Sequence, residues 1–257
     1  ANPLTLAGSG TGAVDGAVEN LAGTNTLSGA VTLAADTRLQ SSAGTMNVTG
    51  NIGGAGRTLT VGGSGDVSIT GIIATGGGGL VKEGAGTLRL GAPGGNTFAG
   101  ATIVTAGSIV AEAANVFNNS AALTLNSGAV LNLNNFTQSV GNLSGGGTLD
   151  LGTSGTGSLT LASGSGTFSG AFSGSGTIII GPGATLTLGA DFNAPNVNFT
   201  LAGGTLALNG STSTFGNLRI TGNSILDFGN SVASVLTVND VTFQNSALQL
   251  SVQNWVD

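Results

Sequence analysis

Two residue types that carry much of side-chain chemistry are missing, because the 257-residue chain contains no His and no Cys. Ser-His-Asp and Cys-His catalysis are therefore excluded, as are imidazole or thiolate zinc sites and disulfides. Eleven carboxylates remain, and carboxylates held close together can hydrolyse glycosidic bonds or bind calcium. Asp15 and Asp36, 21 positions apart, form the one candidate pair, set against a plainer reading as two solvated turn residues. Asp227 and Asp240 match no useful spacing. Gly62-Gly63-Ser64-Gly65-Asp66 is similar to a calcium-binding nonapeptide, but the Asp falls one position early and no tandem copy follows, so it reads as a turn. Gly56-Arg57-Thr58 echoes the end of a phosphate loop, yet Asn51 stands where the first Gly belongs and Arg replaces Lys. The Gly76–Gly79 run reads as a backbone corner, with a ligand loop as its alternative. The expectation is no catalytic residue, no cofactor-binding residue, no metal ligand and no cofactor. Trp255, the single Trp, is expected to plug the last turn of the fold; the competing reading is an adhesive or subunit-contact aromatic.

The elements that must position these residues follow from composition. Gly accounts for 48 residues while 40% of the chain is hydrophobic, which is too apolar for a disordered linker. With only 4 Pro it is not collagen-like either. Charged residues make up 6% of the chain, against about a quarter in an ordinary domain. Thr, Ser, Asn and Gly must therefore cover the surface. Net charge is −6, Lys82 is the only lysine, and Arg38, Arg57, Arg89 and Arg219 are scattered singly. Nucleic acid and anionic membrane surfaces both require clustered positive charge, so neither is an expected partner. No apolar run is long enough for a transmembrane helix. The start Ala1-Asn2-Pro3, without Met or a charged region, reads as a removed signal peptide or a trimmed chain.

Helical spacing is absent. Short alternating strands bounded by Gly, Asn or Ser recur instead, as in Leu59-Thr60-Val61, Leu88-Arg89-Leu90, Leu123-Thr124-Leu125 and Leu186-Thr187-Leu188. Strands come in pairs about 8 residues apart, such as Leu59 with Val67 and Ile178 with Leu186, and pairs repeat about every 20 residues. The series Leu159, Ile178, Phe199, Leu218, Leu236 carries that period, whereas only one Asn-Gly hairpin dipeptide occurs, at Asn209-Gly210. These features predict an all-β fold, a right-handed parallel β-helix (β-solenoid) of about 20 residues per coil, running 1–257 as a single domain. About twelve coils stacked at the inter-strand spacing would make a rod of roughly 55–60 Å. Phe168, Phe172, Phe192, Phe199, Phe215, Phe228 and Phe243 are expected to stack in its interior.

Residues 78–111 add a more specific signal. They read Gly78-Gly79-Leu80-Val81-Lys82-Glu83-Gly84-Ala85-Gly86-Thr87-Leu88-Arg89-Leu90, then Asn96-Thr97-Phe98-Ala99-Gly100-Ala101, then Ala106-Gly107-Ser108-Ile109-Val110. This segment resembles the autotransporter-associated β-strand repeat, with Phe98 where the family usually has Tyr and Ala101 where it has a second Gly. A degenerate copy without the Lys spans 157–192. Read independently of the resemblance, Lys82 is placed mid-strand facing solvent, Gly84 and Gly86 at a positive-φ corner, and Leu88 and Leu90 in the core.

The resemblance implies a passenger segment of an exported bacterial protein, found outside the cell or on its surface, whose repeats assist secretion and folding. The leading expectation is a non-enzymatic stalk or adhesin-type scaffold that touches host or matrix surface components. An alternative is a self-assembling extracellular filament subunit, since a β-helix with few charges guarding its ends can stack end to end. A polysaccharide-processing β-helix enzyme centred on Asp15 and Asp36 is the remote alternative.

Overall fold

A short strand whose alternate residues are apolar has one wet face and one dry face, and it needs a neighbour for both its backbone and its dry face. The chain meets that need by parallel stacking. In the computed structural model, which describes residues 2–10, 15–117, 122–229 and 233–255, every assigned element is a strand. Strands pair in parallel with partners roughly 21 residues away, forming a β-solenoid of about 10 turns. The chain divides into two compact units, residues 1–132 and 133–257.

In the first unit, Val31–Ser41, Leu59–Gly62, Leu80–Lys82, Thr102–Val104 and Leu123–Leu125 lie side by side in one sheet. Thr45–Val48, Asp66–Ile69, Thr87–Leu90, Ser108–Ala111 and Val130–Asn132 form a second sheet. The strand pairs about 8 residues apart are thus successive faces of one turn. Register places like on like. Met46, Val67, Leu88, Ile109 and Leu131 make one interior column, all at 2% exposure or less.

The second unit repeats the plan with Thr137–Val140, Gly157–Leu161, Gly176–Ile180, Val197–Ala202, Asn217–Gly222 and Asp240–Phe243 in one sheet. Gly164–Phe168, Ala184–Leu188, Thr205–Ala207, Ser224–Asp227 and Leu250–Gln253 form another. Phe192–Ala194, Thr212–Phe215 and Val235–Thr237 form a third. The interior column runs Leu159, Ile178, Phe199, Leu218 and then Val241. Leu236, assigned to that column by spacing alone, pairs instead with Ser213. The turn there has lengthened, so a fixed count of residues lands on the wrong face. Ser224 pairs with Leu250 and Leu4 with Val31, intervals of 26 and 27 residues. Such long turns are one reason the chain makes about 10 turns and not twelve.

Phe168, Phe172, Phe192, Phe199 and Phe215 interlock inside this unit with ring centroids 4.5–6.2 Å apart. Most pairs are tilted or edge-on, which suits the ring quadrupole better than flat stacking. Phe243 departs from the expected stack. It follows Ile220 in an inward column but is 46% exposed, because no described strand lies beyond it.

Candidate functional site

The strand Leu80–Lys82 alternates buried, half-buried, buried, so Lys82 points the same way as Leu80. Lys82 is 2% exposed and stands in an aliphatic column between Val61 and Val104. The assignment of Lys82 to solvent is therefore overturned. The period-two geometry of the strand outweighs the charge, since turning Lys82 outward would also turn Leu80 out of the core. Its stem fills the column, and Nζ reaches the corner, where it donates to the carbonyls of Glu83 (2.8 Å), Gly84 (2.7 Å) and Ala106 (3.3 Å). Ala106 belongs to the next turn, so one side chain ties two corners together. Burial lowers the Lys82 ammonium from its ordinary value to about 8, partly opposed by the nearby charges of Glu83 and Asp66.

Glycines make this corner possible in two ways. Gly84 has φ +71°, and Gly107 in the next turn has φ +67°, a region costly for side chains with a Cβ. Gly86, expected to share that conformation, does not. A Cβ on Gly86 would instead overlap the carbonyl oxygen of Gly65 in the preceding turn. A Cβ on Gly107 would sit 2.8 Å from Lys82 Nζ.

The second buried polar residue of the segment is Asn96, 8% exposed. Its Oδ1 accepts from the Ile73 N–H at 2.8 Å, and its Nδ2 donates to the Val116 carbonyl at 2.7 Å. Asn96 thereby bridges the turns before and after its own, while Phe98 beside it is fully buried. The sequence signal was present as the Asn-Thr-aromatic motif, but nothing in it revealed the partners.

Several carboxylates and amides do the same work at the surface. Asp36 accepts from the Thr58 N–H, Asp66 from Thr87, Asp191 from Thr212 and Asn51 from Ile72, at 2.7–2.9 Å and one turn away. Each satisfies a backbone donor next to a strand in the following turn. Asp36 is thus engaged with backbone, and it lines a groove with Arg38 and Glu83, which form an ion pair at 3.0 Å. Asp15 lines an adjoining groove with Glu19; the two grooves share Gly8. The calcium-like Asp66 spends its carboxylate on Thr87. Among the described residues no three carboxylates converge as metal ligands. In the Gly76–Gly79 run, Gly78 lies so close to Arg57 that a Cβ would overlap its carbonyl oxygen, whereas Gly76 and Gly77 are exposed with open space around them. Trp255 is 64% exposed with one ring edge against Phe228, at a centroid distance of 4.9 Å. It covers Phe228 without sealing the turn.

Side chains interlock turns along the chain, and the buried pair Lys82 and Asn96 lies between Leu80 and Ala111. Residues 80–111 match the passenger-associated-transport-repeat family. The match contains Lys82, Gly84, Gly86, Asn96, Phe98 and Gly107. Together with the β-solenoid fold, it is consistent with an autotransporter passenger β-helix. No curated protein and no solved structure matches the chain. In this repeat Lys82, Asn96 and Phe98 are buried.

Proposed function

We infer that the chain is a structural, non-enzymatic segment of a stalk or adhesin-type passenger, displayed on or released from a bacterial surface. One observation carries this reading: two polar residues of the 80–111 repeat, Lys82 and Asn96, are buried and bound to backbone of neighbouring turns. Such a repeat supports continuous stacking, and its sparse charge suits a long uncharged surface of Thr, Ser and Asn. Host or matrix surface components are the partners this reading proposes. The test is to express the natural gene product in its bacterium and probe intact cells and culture medium with an antibody to this segment. Surface or medium signal that is lost on mild protease treatment of whole cells is expected. Retention inside cells that have intact export overturns the reading.

A second reading, a filament subunit, has its own support. Val241, Phe243 and Val252 occupy inward-facing columns yet are 44–47% exposed, because no further described turn covers them. Another parallel turn, from the same polypeptide or from a second copy, would bury them. Sedimentation of residues 1–257 at rising concentration separates the two sources. Growth of large assemblies that Val241→Asp with Phe243→Asp abolishes supports the filament; monomers throughout sink it.

A further inference from the structure

We propose that Lys82 is a proton-sensitive latch inside the stack: an interior ammonium held by backbone carbonyls, whose deprotonation relieves a buried charge and so stabilises the folded turns around residues 80–108. The argument begins with position. The column that contains it is otherwise Leu39, Val61, Val104 and Leu125, each at 1% exposure or less. A charge in that column has lost its water and recovered three carbonyl oxygens, two short and one long. Among the described residues no carboxylate neutralises it by contact. Glu83, the next residue, holds Arg38, two strands away in the same sheet, at 3.0 Å. Asp66, on the preceding turn, accepts from the Thr87 N–H. Arg89 pairs with Glu112 at 3.3 Å, and the strands Thr102–Val104 and Ser108–Ala111 contribute no titratable group. Carbonyl dipoles hold the ammonium in place, but they replace full hydration incompletely.

Deprotonation removes the charge and keeps two N–H groups, enough for the short bonds to Glu83 and Gly84, with the 3.3 Å bond to Ala106 given up. Burial is the largest cause acting on this group, and it lowers the folded-state value to about 8 from 10.5. The unfolded chain therefore holds a proton between these two values that the folded chain has released. Stability contributed by Lys82 is fully present above pH 10.5 and lost as pH falls through 8, and below that the folded chain carries the buried charge. Across the window the folded-to-unfolded ratio should change by about 300-fold.

The composition makes this testable without interference. The chain has no Tyr, no Cys, no His and no second Lys, so no other side chain titrates between pH 8 and 11, and the α-amino group titrates at about 7.7–8.0. The experiment follows the single ε-carbon resonance of ¹³C-lysine-labelled chain from pH 6 to 12, with urea unfolding over the same range. A midpoint near 8, with a urea midpoint that rises between pH 8 and 10.5 and is flat below, is expected. Lys82→Met should abolish that rise. A resonance that titrates near 10.5, or a wild-type chain whose urea midpoint falls as pH rises through the window, overturns the latch. Should Lys82→Met fail to fold, the labelled wild-type resonance decides alone.

Discussion

Two buried polar residues of the 80–111 repeat, Lys82 and Asn96, work by reaching backbone groups in another turn. Asn96 satisfies one donor and one acceptor that burial would otherwise leave orphaned. Asn96→Ala should cost about 2–3 kcal/mol in urea unfolding, because both groups stay buried after the side chain has gone. Gly107→Ala combines an unfavourable φ with a Cβ that would overlap the Gly84 and Gly86 carbonyl oxygens of the preceding turn. It should cost more than about 1 kcal/mol by the same measurement. Asp66→Ala removes the acceptor for the Thr87 N–H, whereas Asp66→Asn keeps an acceptor oxygen in place. The first should lose about 1 kcal/mol, and the second should recover most of it.

Strands in this fold are too short to be stable singly, and their stability resides in the columns that register creates. Thr102 tests that view from the polar side. It sits in a column between Leu80 and Leu123, fully buried, with its hydroxyl lacking a hydrogen-bond partner. Thr102→Val should raise stability by about 1 kcal/mol, seen as a higher urea midpoint, since the shape is kept and an unsatisfied hydroxyl is removed. Phe199 tests it from the apolar side. It is 1% exposed and touches Phe172 and Phe215. Phe199→Ala should cost about 3–5 kcal/mol, while the same change at half-exposed Phe243 should stay within about 0.5 kcal/mol.

At the scale of the whole chain, stacking turns need no helix and no disulfide, only a repeated apolar pattern and Gly where turns come close. Circular dichroism should accordingly show β-structure without helical minima. A helical spectrum would contradict the fold. Sidedness of individual strands was legible in the alternation: Leu59 with Val61, Leu88 with Leu90 and Leu186 with Leu188 are all buried. So was Lys82, because it shares parity with Leu80, and only its charge argued otherwise.

The amino-acid pattern by itself pointed to short parallel strands stacked at a period near 20 residues, because strand pairs about 8 residues apart recur at that period with only one Asn-Gly hairpin signal, which an antiparallel sandwich would not produce. It also marked the 80–111 repeat. Tertiary structure alone decided which turn runs long, hence Val241 and not Leu236 in the Phe199 column. It also decided where Lys82 Nζ and the Asn96 amide find their partners. Those bonds join residues 20–24 positions apart, and inter-turn distance depends on loop lengths and corner conformations that no local pattern encodes.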